Sequence, residues 1–578
     1  MKAANIGYRN FRVAVYCRVY DVQKMGDMKW LEQSFTAIQR YLTVNKIYLE
    51  TYRDMILADK ESVQKIKAFF EKRGVKTSGA IAPTSTERQL QTLCYTKPEH
   101  RQKTKDIIQF TAELFDEIIL DDWFFTNCKC EACIKAKGSR SWTDFRLELM
   151  KDVAEKLVIE PARSINPDVN LIIKYPNWYE YYQFLGYNLD IESKLFDMIY
   201  TGTETRDPEY TTQHLQQYQS YSIMRYLENV KPGKNGGGWI DPYGRRYLDR
   251  FAEQVRLTLL AKVKEITLFC YADLVESVKQ SDGSEKTIGN IAPVLENVFE
   301  EADSFFDKLG EPCGIPSYKP YNSSGEDFLH NYIGMLGVPI EMVPEFPYES
   351  STIFLAESAK YDKEIVNKIR GQLIKGKTVI ITSGLLKALQ DKGIEDIVEI
   401  KYTGRKALVN KFMHFMDVYQ SDKDILVPQI QSATNDVLDP ITCLDEATGY
   451  PFLLQVRYGQ GALFVLTIPD NFSDLYHLPQ ETLSSLKRFL MRDYKVYVES
   501  PAKICLFTYD NDAFVVESFL PHMVRCNIVV NKKQAKLNDL LSTREWFFGR
   551  EPSSIARGEQ TVFPTFTFPN SYRVYRFE

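Results

Sequence analysis

A chain of 578 residues, 44% hydrophobic and 26% charged, is too long for one hydrophobic core and implies two or three domains of ordinary globular composition. The net charge of -5, with no basic patch, argues against nucleic acid or an anionic membrane surface as partner. No apolar run approaches the roughly 18 to 20 residues of a membrane span. The first strand-like run starts at Arg12 with no leader pattern ahead of it, which points to a cytoplasmic protein, or a periplasmic one if a leader has been removed. The ten cysteines are scattered apart from one cluster, so no disulfide framework is expected. Aromatic residues make up 13%, a supply that suits a large core and also the stacking of sugars.

In chain order, eight β-branched runs alternate with amphipathic stretches over residues 1–310. They are "RVAVYCRV" from Arg12, "KIYLETY" from Lys46, "VKTSGAIAP" from Val75, "EIILDD" from Glu117, "NLIIKYP" from Asn170, "FDMIYTG" from Phe196, "GGGWIDP" from Gly236 and "EITLFCYADL" from Glu265. Between them, Leu31, Phe35, Ile38 and Leu42 share a helical face, as do Leu248, Phe251, Val255 and Leu259. Eight strand and helix alternations predict a (β/α)8 TIM barrel. Residues 311–493 restart the pattern, with "STIFLAES", a helix from Lys363 to Ile374 and "KTVIITSG", as an open α/β domain. Residues 494–578, with "KICLFTY", "AFVVESFL" and "CNIVVNK", read as a small C-terminal β-sandwich.

Barrel enzymes carry their catalytic groups at the C-terminal ends of the strands, so the residues closing each run can be inspected directly. They are Arg18 and Asp21, Glu50 and Tyr52, Asp121 and Asp122, Asn177 and Trp178, Glu204 and Arg206, Trp239 and Asp241, then Tyr271 and Asp273. Histidine is nearly absent, with six in the chain and none at these ends, which disfavours a serine or cysteine nucleophile activated by histidine. Several carboxylates among aromatic residues suit glycoside hydrolysis, in which one carboxyl protonates the leaving oxygen and a second attacks the anomeric carbon or activates water. The competing reading is that such acids cap helices or pair with arginines. It applies most readily to Glu50 and Asp273 and least to Asp122.

Cys128, Cys130 and Cys133 form C-x-C-x-x-C directly after the Asp121–Asp122 pair, and Cys94 lies upstream in "RQLQTLCYTKPEHR". Four thiolates suit a closed, structural zinc site tying the loop after strand four to the loop after strand three. The alternative is free reduced cysteines.

The segment "RQLQTLCYTKPEHRQ", followed by a strand, an acidic pair and "CKCEACIKAKGSRSWTDF", resembles the family 42 glycoside hydrolases. The resemblance extends to the order of parts, since those β-galactosidases have a barrel, a glutamine-amidotransferase-like domain used in trimer formation, and a small β domain. It implies that Cys94, Cys128, Cys130 and Cys133 are zinc ligands, and that Asp122 stands where the family has its acid/base glutamate. Asp121 stands for the preceding asparagine and Asp241 for the nucleophile. Both acids depart from the family's glutamates. Strand position slightly favours Asp241 as the partner of Asp122, whereas residue type favours Glu204.

Expected substrate contacts are Asp121, Glu50, Arg18, Asn177, Trp178, Trp239, Arg206 and Tyr271, with Trp123 as a further platform. In the second domain "TVIITSG" ends in Thr382, Ser383 and Gly384 without a nucleophilic cysteine, so an assembly module is expected there. The expected whole is an exo-acting glycosidase with a structural zinc and no organic cofactor, homo-oligomeric and by resemblance a trimer. The alternative is a non-catalytic carbohydrate-binding or assembly protein on the same scaffold.

Overall fold

The computed structural model describes residues 7–578 other than 212, 214, 245–246, 277, 280–286, 290, 447 and 542–552. It divides into two compact units, Met1–Phe306 and Asp307–Glu578.

In the first unit the eight runs form β1 (Arg12–Cys17), β2 (Lys46–Arg53), β3 (Lys76–Ile81), β4 (Glu117–Leu120), β5 (Asn170–Tyr175), β6 (Met198–Gly202), β7 (Asn235–Ile240) and β8 (Glu265–Phe269). Each pairs in parallel with the next, and β1 pairs with β8, so the barrel closes. The crossover helices are amphipathic: the helix Met28–Ile38 buries Leu31, Phe35 and Ile38, and the helix Leu248–Leu260 buries Phe251, Val255 and Leu259. Each apolar stripe faces the sheet because a helix packed on strands repeats every three or four residues.

Barrel interiors are usually filled by branched aliphatic side chains. Here Tyr16, Tyr48, Tyr200 and Trp239 fill the interior beside Ala14, Ala80, Ile119 and Ile172. Much of the aromatic content is therefore core. Rings this large need small neighbours, and β7 supplies them in Gly236–Gly238. A Cβ on Gly237 would stand 2.0 Å from the Glu265 carbonyl oxygen and 2.7 Å from the Tyr200 hydroxyl.

The lower end is polar. Lys46 Nζ bonds Glu117 at 2.8 Å and Glu265 at 3.2 Å, and the Tyr48 and Tyr200 hydroxyls donate to Glu265 at 3.1 and 3.3 Å. These charges lie at the first residues of β2, β4 and β8, opposite the catalytic mouth expected of this fold.

The second unit holds a nine-stranded sheet among the described residues. Five parallel strands run in the order Ile340–Val343, Ile315–Tyr318, Thr352–Leu355, Thr378–Thr382 and Gly461–Leu466. This is the 2-1-3-4-5 order of a doubly wound α/β sheet. The sheet continues in four antiparallel strands between Ile400 and Tyr458, an extension that the sequence reading did not anticipate. The remaining strands form a five-stranded and a four-stranded sheet, with Leu506, Phe514, Val516, Ile528 and Val562 in a shared core.

Candidate active site

The C-terminal ends of β2, β4, β5, β6 and β7 bring together five acids and three cations. On β5, residues alternate between faces, so Lys174 shares the interior face of Ile172 and rises toward the mouth. Its ammonium lies 4.3 Å from the centre of the Trp239 ring, 2.7 Å from Asp122 Oδ2 and 2.8 Å from Glu204 Oε1, with Asp121 Oδ1 at 3.7 Å. Beneath them Arg53 joins Glu50 at 2.8 Å to Asp121 at 2.6 Å, while Tyr16 and the backbone amide of Val19 donate to Glu50. To one side Arg206 grips Asp241 with two parallel bonds of 2.5 and 3.0 Å, and the Tyr243 amide donates to the same carboxylate.

Exposure separates these acids. The side chain of Asp122 keeps 24% of its surface open, against 5% for Glu204 and 8% for Asp241. Burial, reinforced by Asp121 and Glu204, pushes the Asp122 carboxyl up to about 7 despite Lys174. Asp121 moves the other way: burial opposes its charge, but Lys174, Arg53 and the Asp122 amide hold it below the usual carboxylate range. Glu204 is raised by burial and by Asp241, with Lys174 and Arg206 pulling back. Two neighbouring aspartates thus carry opposite tendencies, the pattern of a charged group beside a proton-holding one.

Of the other anticipated residues, Arg18 follows β1, with its guanidinium over the rings of Tyr20 and Phe269 and a loose pairing to Asp21 at 4.0 Å. Trp178 and Trp123 are half-buried and flank Phe125, at 5.8 Å each between ring centres, so both retain surface for stacking. Asn177 is buried, and its amide donates to the Glu204 carbonyl oxygen, which fixes the loop carrying that acid. Two expectations are corrected. Trp239 is 1% exposed and lies under Lys174 as floor, packed 4.7 Å from Tyr16, so it offers no open face. Tyr271 is fully buried, its hydroxyl bonded to Ser34 at 2.8 Å and its ring against Trp30, because the chain turns into a helix after β8 and carries this side chain onto the Met28–Ile38 helix.

Sequence reading missed Lys174, Arg53 and the Tyr187 hydroxyl, which donates to the Asp122 carbonyl oxygen. A signal for the first was present: two-residue alternation puts the lysine of "NLIIKYP" on the inward face of a barrel strand, one place before its end.

The four cysteines converge beside this mouth, with one sulfur from each within 4.8 Å of every other. Cys94 lies 3.5 Å from Cys133 and 3.7 Å from Cys130, and Cys130 lies 3.7 Å from Cys133. A tetrahedral zinc with bonds of about 2.3 Å separates its sulfurs by about 3.8 Å, so the donor set fits such an ion.

A closed barrel with clustered carboxylates at its mouth defines a glycosidase-like scaffold. Residues 2–302 match the family model "Probable glycosyl hydrolase, catalytic domain", and residues 495–577 match its C-terminal domain. The chain belongs to this glycosyl hydrolase family. Residues 310–471 match the second domain of "Uncharacterized protein SSO3021". That protein, from Saccharolobus solfataricus, is 23% identical over 92% of this chain and 95% of its own length. In fold the chain is similar to the β-galactosidase of Bacillus circulans sp. alkalophilus, with a TM-score of 0.65, 10% identity and coverage of 99% of each chain. It is also similar to an α-L-fucosidase isoenzyme of Paenibacillus thiaminolyticus, with a TM-score of 0.64 and 12% identity over 99% of this chain and 100% of that one. The resemblance to family 42 glycoside hydrolases holds in fold, since the chain is also similar to Gan42B, a GH42 β-galactosidase, with a TM-score of 0.64 and 11% identity over 98% of each chain.

Proposed function

We propose that the protein hydrolyses the glycosidic bond of a terminal sugar, with Asp122 as general acid and Glu204 as its partner. The observation that carries this reading is their shared bond to one ammonium. Because Asp122 Oδ2 and Glu204 Oε1 bond Lys174 at 2.7 and 2.8 Å, these two facing oxygens lie no more than about 5.5 Å apart, a closeness that favours a retaining pair over the wider separation of carboxyl groups in inverting enzymes. Asp122 has the open face and raised carboxyl that a proton donor needs. Glu204 supplies the attacking carboxylate, and the extra methylene gives it reach that an aspartate lacks. Asp241 holds Arg206 in place beside it.

Trp123 and Trp178 are the stacking surfaces for the sugar, and Arg18 meets its hydroxyl groups. The four cysteines hold a structural zinc that fixes the loop leading from Asp122. Four thiolates would close the coordination of such an ion, which would then serve the loop and not the substrate.

The test is hydrolysis of a panel of aryl α- and β-glycosides by wild type, Asp122→Asn and Glu204→Gln. Turnover by wild type on at least one glycoside, lost in both variants, is expected. Turnover that survives Glu204→Gln would remove it from the reaction.

A further inference from the structure

Resting on the assignment of Asp122 and Glu204, we infer that Lys174 is a positioning residue: a buried shared cation that sets the spacing of the two carboxylates and keeps Glu204 the ionised member. Its side chain is 2% exposed and stands on the Trp239 ring. Bonds of 2.7 Å to Asp122 and 2.8 Å to Glu204 leave Asp121 at 3.7 Å as a weaker third neighbour. The ends of β4 and β6 are thereby tied to one atom carried by β5. A lone buried ammonium is expensive, and removing one partner from such a cluster leaves an uncompensated charge. The lysine and the acids therefore maintain one another.

The groups facing Lys174 decide where its charge acts. From the end of β4 come Asp121 and Asp122, and from beyond β6 come Glu204 and Arg206. Asp241 follows β7, and Glu50 and Arg53 on β2 lie behind Asp121. Arg53 serves Asp121 and Glu50, and Arg206 makes its two short bonds to Asp241. Among the described residues Lys174 is thus the cation hydrogen-bonded to Glu204, and without it Glu204 would share a poorly solvated pocket with Asp122 and Asp241. Glu204 would then take up a proton in place of attacking.

The experiment compares wild type with Lys174→Met, which keeps the length of the side chain without its charge, and Lys174→Arg, which keeps the charge. On an aryl glycoside that wild type cleaves, kcat in Lys174→Met falls on the order of a hundredfold, with KM changed less than about threefold. The acidic limb of its pH profile moves up by about one pH unit or more. Lys174→Arg restores part of kcat and returns the limb toward its wild-type position. A second readout needs no turnover: in carboxyl-13C-labelled protein, the Glu204 midpoint rises in Lys174→Met and stays near wild type in Lys174→Arg. An unchanged Glu204 midpoint in folded Lys174→Met overturns the inference, whereas no turnover by wild type with a shifted midpoint overturns only the glycosidase reading. If Lys174→Met does not fold, Lys174→Gln, also uncharged but able to hydrogen-bond the acids, carries the test: a Glu204 midpoint raised above wild type supports the shared charge, and an unchanged midpoint contradicts it.

Discussion

Arg206 engages both oxygens of Asp241, through bonds of 2.5 and 3.0 Å, and the carboxylate also accepts from the Tyr243 amide at 2.9 Å. An attacking carboxylate needs a lone pair free to meet the anomeric carbon, and this one is committed to a planar guanidinium. Asp241→Asn is therefore expected to retain more activity than Glu204→Gln, by at least tenfold in kcat, and to raise KM through the loosened Arg206. Steady-state kinetics of the two variants side by side provide the check.

On the proposed assignment, the raised carboxyl of Asp122 should set the basic limb of activity. A general acid works only while protonated, so kcat/KM should fall as pH rises through about 7. Burial is the main cause, with Asp121 and Glu204 adding to it. Asp121→Asn removes one neighbouring charge and should move this limb to lower pH.

Glu192 makes a prediction about stability. It is fully buried and accepts from the Asn188 amide at 2.9 Å, and burial pushes its carboxyl up from 4.5 to about 8. A carboxyl raised in the folded state binds its proton more tightly there than in the unfolded chain. Its contribution is complete below about pH 4.5 and is lost as pH rises through about 8. Glu192→Gln should therefore melt higher than wild type at pH 9 and no higher at pH 5, as read by thermal unfolding across that range.

The proposed zinc site would link metal to fold. Cys130→Ser should lower zinc content and Tm together, because a structural ion contributes its binding energy to folding. Elemental analysis and calorimetry on the same preparation test this, and a wild-type protein without metal whose Tm ignores the substitution would refute it.

Gly237→Ala tests the packing of the barrel interior. The added methyl would meet the Glu265 carbonyl oxygen at 2.0 Å, a backbone atom that cannot swing aside. A loss of about 3 kcal/mol in denaturant unfolding is expected, at the upper end of overpacking costs.

The barrel was legible because its strands and helices have different periods, and the eight runs from Arg12 to Glu265 became the eight strands. Strand ends then led to Asp121, Asp122, Glu204 and Asp241. Lys174 escaped because a lysine inside an apolar run reads as an edge or surface position, and only the closed barrel turns that face inward. Trp239 and Tyr271 were placed by proximity to strand ends, which does not say on which side of the barrel wall a ring falls. The antiparallel strands from Ile400 to Tyr458 were missed for a different reason: their exposed faces also carry Leu408, Val418, Leu426 and Leu438, which blurs the alternation a strand shows when one face is buried.

The most direct test of the paired roles of Asp122 and Glu204 is the configuration of the first sugar released, followed by proton NMR before the anomers equilibrate. On the proposed roles, the two carboxylates bridged by Lys174 are expected to give a product with the same anomeric configuration as the substrate. A first product of opposite configuration would mean that a water molecule fits between the acids, and would contradict the account.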